Sequence, residues 1–298
     1  MGLLDNKSAI VTGGGRGIGR GHCLSLAKSG ASVLINDIDI DEAKKVANEI
    51  KNIGGIAHTS SQDISSRQGA ENLINECLEK LNSIDILVNN AGILRDKSFL
   101  KMTDEDFDAV WNTHVKGTFW CSQLVSLVMK DQGNGGSIVN TTSGAHFGNF
   151  GQTNYSAAKG AIASMTYTWS IELAKYGIRV NAIGPTGTTR MSETFQSSKN
   201  TNIEKFPYID PTLNGPLVVF LSSEKAFNIS GQVFGCGGNR LALMVQPHYG
   251  KTLEKEGGWS VEDIEKSLLK ELAPEFGPLG MLSLPYPFSD GVKISSNE

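Results

Sequence analysis

The chain has 298 residues, 39% hydrophobic and 19% charged, enough to bury a large core without disulfides or a structural metal. A formal net charge of −4, with no long basic run, argues against nucleic acid or an anionic membrane surface as partner. The cysteines Cys23, Cys77, Cys121 and Cys236 are scattered with no CxxC pair, which fits reduced thiols in a cytoplasmic protein and no zinc site. The opening MGLLDNKSAIVTGGG enters a strand at once, so no secretory signal is expected. No apolar run approaches the ~20 residues of a membrane span, and the ending SSNE is not an SKL-type address.

Short apolar runs rich in β-branched residues then alternate with segments of helical period. Strands are expected at 8–12 (SAIVT), 32–36 (SVLIN), 56–60 (IAHTS), 84–89 (IDILVN), 137–142 (SIVNTT), 178–183 (IRVNAI) and 232–236 (QVFGC). Helices are expected at 17–29, 41–53, 66–81, 103–130 and 153–176, with starts marked by Asp41, Ser66 and Thr103. Near-continuous hydrophobic strands separated by helices describe an α/β fold, a Rossmann-like, doubly wound, seven-stranded parallel sheet. After Pro185 the pattern changes. Residues 186–212 are polar and weakly periodic, and fit a mobile substrate segment over a cleft. Residues 241–298 hold one amphipathic helix, 260–272, and a tail rich in proline and aromatics. Trp259, Leu268, Leu269, Leu272, Phe276, Leu279, Met281, Leu282, Leu284, Tyr286 and Phe288 would be unfavourable in water. The expected division is therefore a catalytic domain, 1–240, and an extension, 241–298, packed on that domain or on a neighbouring subunit.

The first strand runs into Thr12-Gly13-Gly14-Gly15-Arg16-Gly17-Ile18-Gly19, which opens directly into a helix. Glycines let the backbone turn tightly and approach a pyrophosphate seated on the positive end of the helix. A glycine cluster alone can be only a tight turn, but here it follows a strand and begins a βαβ unit. Asp37 follows the second strand, where a carboxylate can accept from both ribose hydroxyls of NAD and repel the 2′-phosphate of NADP. At about 5 Å and an effective dielectric of ~20, that repulsion is about 3 kcal/mol per phosphate charge before screening. Arg16 pulls the other way, since it could pair with that phosphate, but weakly on a solvated loop. A cap on the second helix is the structural alternative for Asp37, although Asp39 or Asp41 can serve there. NAD is the expected cofactor.

Tyr155 and Lys159 are i and i+4 at the start of a long helix and share one face. An ammonium beside a phenol favours phenolate, and the helix N-terminus adds positive potential. Such a tyrosine can take a proton from an alcohol or return one to a ketone. YxxxK is also a common accident on helices. Here, however, Thr141-Thr142-Ser143 ends the preceding strand at the carboxyl edge of the sheet, where a hydroxyl can bond the substrate oxygen. A turn or cap is the structural alternative for Ser143.

These motifs together, Thr12–Gly19, Asn89-Asn90-Ala91-Gly92 and Tyr155–Lys159, resemble the short-chain dehydrogenase/reductases over about residues 5 to 240. The resemblance implies that Asp63 and Ile64 contact the adenine and that Asn90, Ala91 and Gly92 back the cofactor. It implies that Lys159 also holds the nicotinamide ribose, and that Pro185 starts the segment reaching the nicotinamide amide, with Thr188 in contact. The phrases NNAGILRDKSF and GNFGQTNYSAAKGAI narrow the match. They resemble the 3-hydroxyacyl-CoA dehydrogenase part of multifunctional β-oxidation enzymes and related bacterial hydroxysteroid and hydroxyacyl-CoA dehydrogenases. The implied substrate is a hydroxyacyl-CoA or a bulky steroid-like alcohol or ketone. The implied assembly is a homodimer or homotetramer paired through helices 103–130 and 153–176, the second carrying Ala157, Ala158, Gly160, Ala161 and Ala163.

Two positions depart from the family pattern. The family serine falls thirteen residues before the tyrosine, which lands on Thr142, whereas Ser143 lies twelve before; either Ser143 acts, which we favour, or Thr142 does. The asparagine that usually supports a water relay to the lysine aligns with His114, which either takes that part or is a packed helix histidine. His146 is read as an ordinary loop residue, and His22, His58 and His248 suggest no metal ligand cluster. A 3-oxoacyl reductase, against which Asp37 speaks, and an inactive cofactor-binding subunit remain as alternatives.

Overall fold

Strand β1 (Ser8–Thr12) is buried along its whole length between β2 (Ser32–Asn36) and β4 (Ile86–Asn89). The computed structural model describes residues 2–190, 208–277, 280, 281 and 287. With β3 (Ala57–Ser60), β5 (Gly136–Thr141), β6 (Ile178–Pro185) and β7 (Val233–Gly237), the parallel order is β3-β2-β1-β4-β5-β6-β7. Winding reverses between β1 and β4, and that crevice at the carboxyl ends is where open α/β sheets take ligands. The seven expected strands are present within a residue or two at each end.

Alternation along β1 assigns the two layers. Ala9 and Val11 pack with α1 (Gly17–Lys28), α2 (Ile40–Asn52) and the helix Gly215–Ser222; Ile10 packs with α3 (Arg67–Leu81) and α5 (Gly117–Gln132). Side-chain caps set the helix starts: Asp39 accepts from Glu42 N, Ser66 accepts from Gly69 N, and Thr103 forms a capping box with Asp106.

Three elements differ from the sequence expectation. The helix read as 103–130 is α4 (Asp104–Trp111), a π turn (Asn112–Lys116) and α5; apolar period alone does not mark a widened turn, and His114 lies inside it. The helix read as 153–176 is α6 (Thr153–Glu172) followed by a 3₁₀ turn to Tyr176. An eighth strand, β8 (Arg240–Met244), folds back antiparallel on β7, so the segment after residue 240 begins inside the sheet. Gly238 (φ +55°) makes that reversal, and five residues of mixed character, RLALM, carry too little pattern to announce it.

The extension forms the helix Val261–Ser267, capped by Ser260 and Asp263, and continues as a π turn to Leu272. Neither buries a residue; Leu269 and Phe276 are exposed, and Trp259 is largely so. Met281 N donates to the Gly148 carbonyl, which brings this end of the chain to the loop that follows Ser143. Leu279, Leu282, Leu284, Tyr286 and Phe288, and most of the 186–212 segment (191–207), lie outside the described residues.

His22 on α1 is fully buried with no hydrogen-bond partner for either ring nitrogen among the described residues. Burial pushes its pKa down to about 3. The unfolded chain therefore binds a proton between about pH 6.5 and 3 that the folded chain refuses, and stability falls as pH drops through that window. His22→Leu should raise stability at neutral pH by about 1–3 kcal/mol, the cost of orphaned polar atoms, and by more at pH 5. Denaturant unfolding at both pH values checks this; a less stable variant would show that the imidazole packs better than a hydrocarbon.

Candidate active site

The loop after β1 is shaped by close backbone contacts. A Cβ on Gly19 would sit 2.1 Å from the Gly13 carbonyl oxygen, so helix α1 starts directly beneath the turn only because that position is glycine. Thr12 fixes the neighbouring crossover: its Oγ1 accepts from Asn90 N (3.0 Å) and Ala91 N (3.1 Å). Asn90 Nδ2 returns two bonds, to the Thr12 and Gly13 carbonyls. The first glycine turn and the segment Asn90–Gly92 are thus one hydrogen-bonded unit. Gly17, Ile18 and Gly19 open α1 with their N–H groups at the crevice, and Thr189 from the loop after β6 lies over Gly17.

Asp37 sits at the end of β2, where Gly15 N (2.9 Å) and Asp39 N (3.0 Å) donate to its two carboxylate oxygens. Capping of α2 falls to Asp39, so Asp37 is not consumed by that structural task. Arg16, from the glycine loop, is paired with Asp39 (2.7 Å) and Glu42 (3.1 Å). At the end of β3, Asp63 is exposed and accepts from Ser65 N, while Ile64 is buried. Pro185 closes β6, and Thr188 exchanges hydrogen bonds with Ile209: Thr188 N donates to its carbonyl and Thr188 Oγ1 accepts from its N–H. The donor set and the glycine cradle fit a dinucleotide: backbone N–H groups at a helix start for a pyrophosphate, a carboxylate for ribose hydroxyls.

Helix α6 carries the second half of the crevice. Lys159 is 2% exposed, and its Nζ donates to the Thr141 carbonyl at 2.6 Å. That Nζ lies 5.5 Å from the centre of the Tyr155 ring. Burial pulls the Lys159 pKa down to about 7, so burial by itself leaves the ammonium assumed from sequence only partly charged at neutral pH. His114 meets the Tyr155 ring edge-on, centroids 5.3 Å apart. Its Nε2 lies 3.0 Å from Ile93 N and 2.9 Å from the Ile93 carbonyl, and its Nδ1 is buried without a partner among the described residues. Burial, and then the Lys159 charge, drive the His114 pKa well below its usual range, so the ring is neutral. A Cβ on Gly92 would fall 2.3 Å from the His114 ring, which packs flush on the cofactor-side backbone.

The two candidate hydroxyls differ in direction. Thr142 is buried and its Oγ1 donates to the Lys159 carbonyl at 2.8 Å. Ser143 is half-buried and accepts from Ala145 N, and its own proton is taken by no described residue. His146 Nδ1 lies 2.5 Å from the Ser143 carbonyl and braces that turn.

Sequence reasoning named Asn90 but missed the buried chain behind it. Asn89 Nδ2 donates to Ser122 Oγ and Asn140 Oδ1, and Asn140 Nδ2 donates to Thr166 Oγ1, linking α5, β4, β5 and α6. Asn154 Nδ2 donates to the Arg95 and Asp106 carbonyls and ties the start of α6 to the loop after β4 and to α4. A signal was present, since asparagines at the ends of fully apolar strands demand partners.

Because Lys159 is buried with a lowered pKa, the unfolded chain holds a proton between about pH 7 and 10.5 that the folded chain has released. The folded protein therefore carries the full burial cost below pH 7 and sheds it as pH rises. Lys159→Met should be more stable than the wild type by on the order of a few kcal/mol below pH 7, with a margin that narrows toward pH 10. Denaturant midpoints across that range test it, and a pH-independent margin would contradict the assignment.

Comparison with known proteins gives a consistent picture. Residues 7–201 match the short chain dehydrogenase family. The chain is 42% identical over 246 residues to the Saccharomyces cerevisiae peroxisomal hydratase-dehydrogenase-epimerase, covering 79% of this chain but 26% of that protein, about a quarter of its length. It is 34% identical over 280 residues to the Mycobacterium tuberculosis hydroxyacyl-CoA dehydrogenase ChsB1, covering 89% and 88% of the two chains. It is 36% identical over 241 residues to the Thermotoga maritima 3-oxoacyl-[acyl-carrier-protein] reductase FabG, covering 79% and 98%. Among solved structures, a 7α-hydroxysteroid dehydrogenase complexed with NADH and 7-oxo glycochenodeoxycholic acid superposes with a TM-score of 0.70 at 34% identity, covering 80% of this chain and 96% of that one.

Proposed function

The chain belongs to the short-chain dehydrogenase family and is an oxidoreductase acting on CH–OH groups; from that premise we propose that it uses NAD to interconvert a secondary alcohol and a ketone on a 3-hydroxyacyl-CoA or a related bulky hydroxy substrate. The observation that carries the reading is the pairing of Tyr155 and Lys159 on one face of α6, beside the Ser143 turn and across the crevice from Asp37. NAD, when bound, supplies the hydride acceptor. The chain's own residues do the rest. Ser143 donates its free proton to the substrate oxygen and orients it. Tyr155 takes the hydroxyl proton as the phenolate during oxidation, and as the phenol gives a proton back during reduction. Lys159 offers positive charge to the phenolate form, and the phenolate in turn favours the protonated lysine that burial alone disfavours. Thr142 is a positioning residue, because its hydroxyl holds the α6 backbone at Lys159. His114 likewise positions: neutral and locked on Ile93, it supports the edge of the Tyr155 ring.

The cofactor and adenine contacts extend this reading to Gly13, Arg16, Gly17, Ile18, Gly19, Asp63, Ile64, Asn90, Ala91, Gly92, Pro185 and Thr188. The NADH in the hydroxysteroid dehydrogenase relative and the Asp37 carboxylate both support NAD over NADP. Relatives named for hydroxyacyl-CoA and hydroxysteroid dehydrogenation support the substrate class. Among the described residues no helix is long and apolar enough to cross a membrane, and we take the protein to be a cytoplasmic homodimer or homotetramer. Apolar side chains on the outer faces of α5 and α6, Leu127 and Ile171, support such pairing. A monomeric mass by light scattering at micromolar concentration would contradict it.

The decisive experiment is a panel of hydroxyacyl-CoAs, hydroxysteroids and simple cycloalkanols with NAD, on the wild type and three variants. Tyr155→Phe should lower turnover by about 10²–10⁴-fold with NADH binding retained. Ser143→Ala should cost about 10²–10³ in kcat, and Thr142→Val far less. A Tyr155→Phe enzyme with more than about a tenth of wild-type turnover would remove the tyrosine from its role, and the reverse order of damage at 142 and 143 would transfer the donor to Thr142.

A further inference from the structure

The adenosine end of the crevice holds an arrangement that the Asp37 reading does not use. Arg16 reaches from the glycine loop toward the Asp37 side, where a guanidinium would ordinarily attract a phosphate. Two of its three nitrogens are already engaged, by two different carboxylates: Nη2 bonds Asp39 Oδ2 at 2.7 Å, and Nε lies 3.1 Å from Glu42 Oε2. Lys45, the other cation at this spot, bonds Glu42 at 2.5 Å. Asp39 and Glu42 pair with Arg16 and Lys45, and Asp37 accepts from backbone N–H groups, so among these five side chains one negative charge is in excess near the place where a ribose 2′ substituent would project.

We propose that Asp39 and Glu42 are specificity-positioning residues: by pairing with Nη2 and Nε they pin the Arg16 guanidinium against α2 and offset its charge, which withholds it from a 2′-phosphate, so that discrimination between NAD and NADP is carried by three carboxylates and not by Asp37 alone. The inference rests on the reading of NAD as the cofactor and deepens it. It accounts for an arginine in the glycine loop of a chain whose second strand ends in aspartate, two features that otherwise point to opposite cofactors. Pairing is mutual. Glu42 is held at a pKa of about 2 by Lys45 first and Arg16 second, and Arg16 is raised above its ordinary value chiefly by the Glu42 hydrogen bond. Geometry also favours persistence, because Asp39 is fixed as the cap of α2 and Glu42 stands in the first turn of the same helix.

The test compares affinities for adenosine 2′,5′-bisphosphate and adenosine 5′-monophosphate by isothermal titration calorimetry, which needs no turnover. The variants are Asp37→Ser, the pair Asp39→Asn and Glu42→Gln, all three together, and each of these with Arg16→Ala. Asparagine still caps α2 and glutamine keeps the side-chain volume, so the fold is preserved; thermal unfolding verifies it. The wild type should prefer the monophosphate. Asp37→Ser alone should remove that preference only in part. The triple variant should bind the bisphosphate about 10- to 100-fold more tightly than Asp37→Ser, as expected for one freed charge-assisted pair, and Arg16→Ala should cancel the gain. Equal bisphosphate affinity in Asp37→Ser and the triple variant, or a gain that survives Arg16→Ala, would overturn the proposal. A wild type that binds bisphosphate as well as monophosphate would overturn the NAD reading itself, which is a separate outcome.

Discussion

One lysine clamps helix α6 to the end of strand β5. Lys159 Nζ donates to the Thr141 carbonyl, and the Lys159 carbonyl accepts from the Thr142 hydroxyl, so the last residue of β5 and the one after it grip both ends of the same residue. The proposed catalytic side chains are placed by reference to that clamp. Tyr155 stands one turn earlier on the helix, Ser143 two residues beyond the strand, and His114 packs against the tyrosine from the π turn between α4 and α5. The clamp is expensive, because an amine with almost no solvent contact is driven toward neutrality. A protein selected only for stability would place a hydrocarbon there. Retention of lysine at such a cost is what an activity-bearing position looks like physically.

The cofactor half is organised by hydroxyl and amide groups that return backbone bonds across the topological switch point. Thr12 and Gly13 are tied to Asn90 and Ala91 by four hydrogen bonds between the ends of β1 and β4, which brace the turn after β1 ahead of any ligand. Rigidity matters because a loop that had to be ordered on binding would spend affinity on its own entropy. Behind it, the Ser122–Asn89–Asn140–Thr166 chain joins this half to α6 through the buried layer. Satisfied polar networks of this kind fix one register among many that an apolar core would tolerate. The two halves of the crevice are therefore held in one frame by a hydrogen-bonded network that runs from the turn after β1 to α6.

Much of the architecture was legible because its signals are local. Each parallel strand is a short apolar run, and Ser66 and Thr103 cap the helices they were expected to start. The second helix begins slightly earlier than read, since Asp39 and not Asp41 captures the first free N–H. Positions of Tyr155 and Lys159 on one face follow from spacing alone. What could not be read was direction. Thr142 and Ser143 are adjacent hydroxyls whose register was ambiguous by one residue, and only the bond from Thr142 to the α6 backbone separates an inward group from an outward one. The π turn was illegible for a different reason: a single widened turn shifts the helical phase at His114 without altering the composition around it. β8 escaped notice because an antiparallel edge strand half in solvent needs no continuous apolar run.

The extension shows how far local signals go. Its helix was expected from its amphipathic pattern and starts at a Ser260–Asp263 capping box, yet that helix buries none of its residues, and Leu241 and Leu243 on β8 are exposed as well. Amphipathic pattern establishes that a segment can form an apolar face; it does not establish which surface receives that face. The contact between Met281 and Gly148 narrows the choice, since Gly148 belongs to the loop between Ser143 and Tyr155. Chain that reaches this loop borders the substrate side of the crevice and not the adenosine side. The Asp37, Asp39 and Glu42 carboxylates lie at the other end, around the turn after β2. The Lys159 clamp and the buried asparagine layer link these two ends of the crevice, so on the proposed reading substrate shape and cofactor choice fall to separate groups of residues, and a change at one end need not disturb the other.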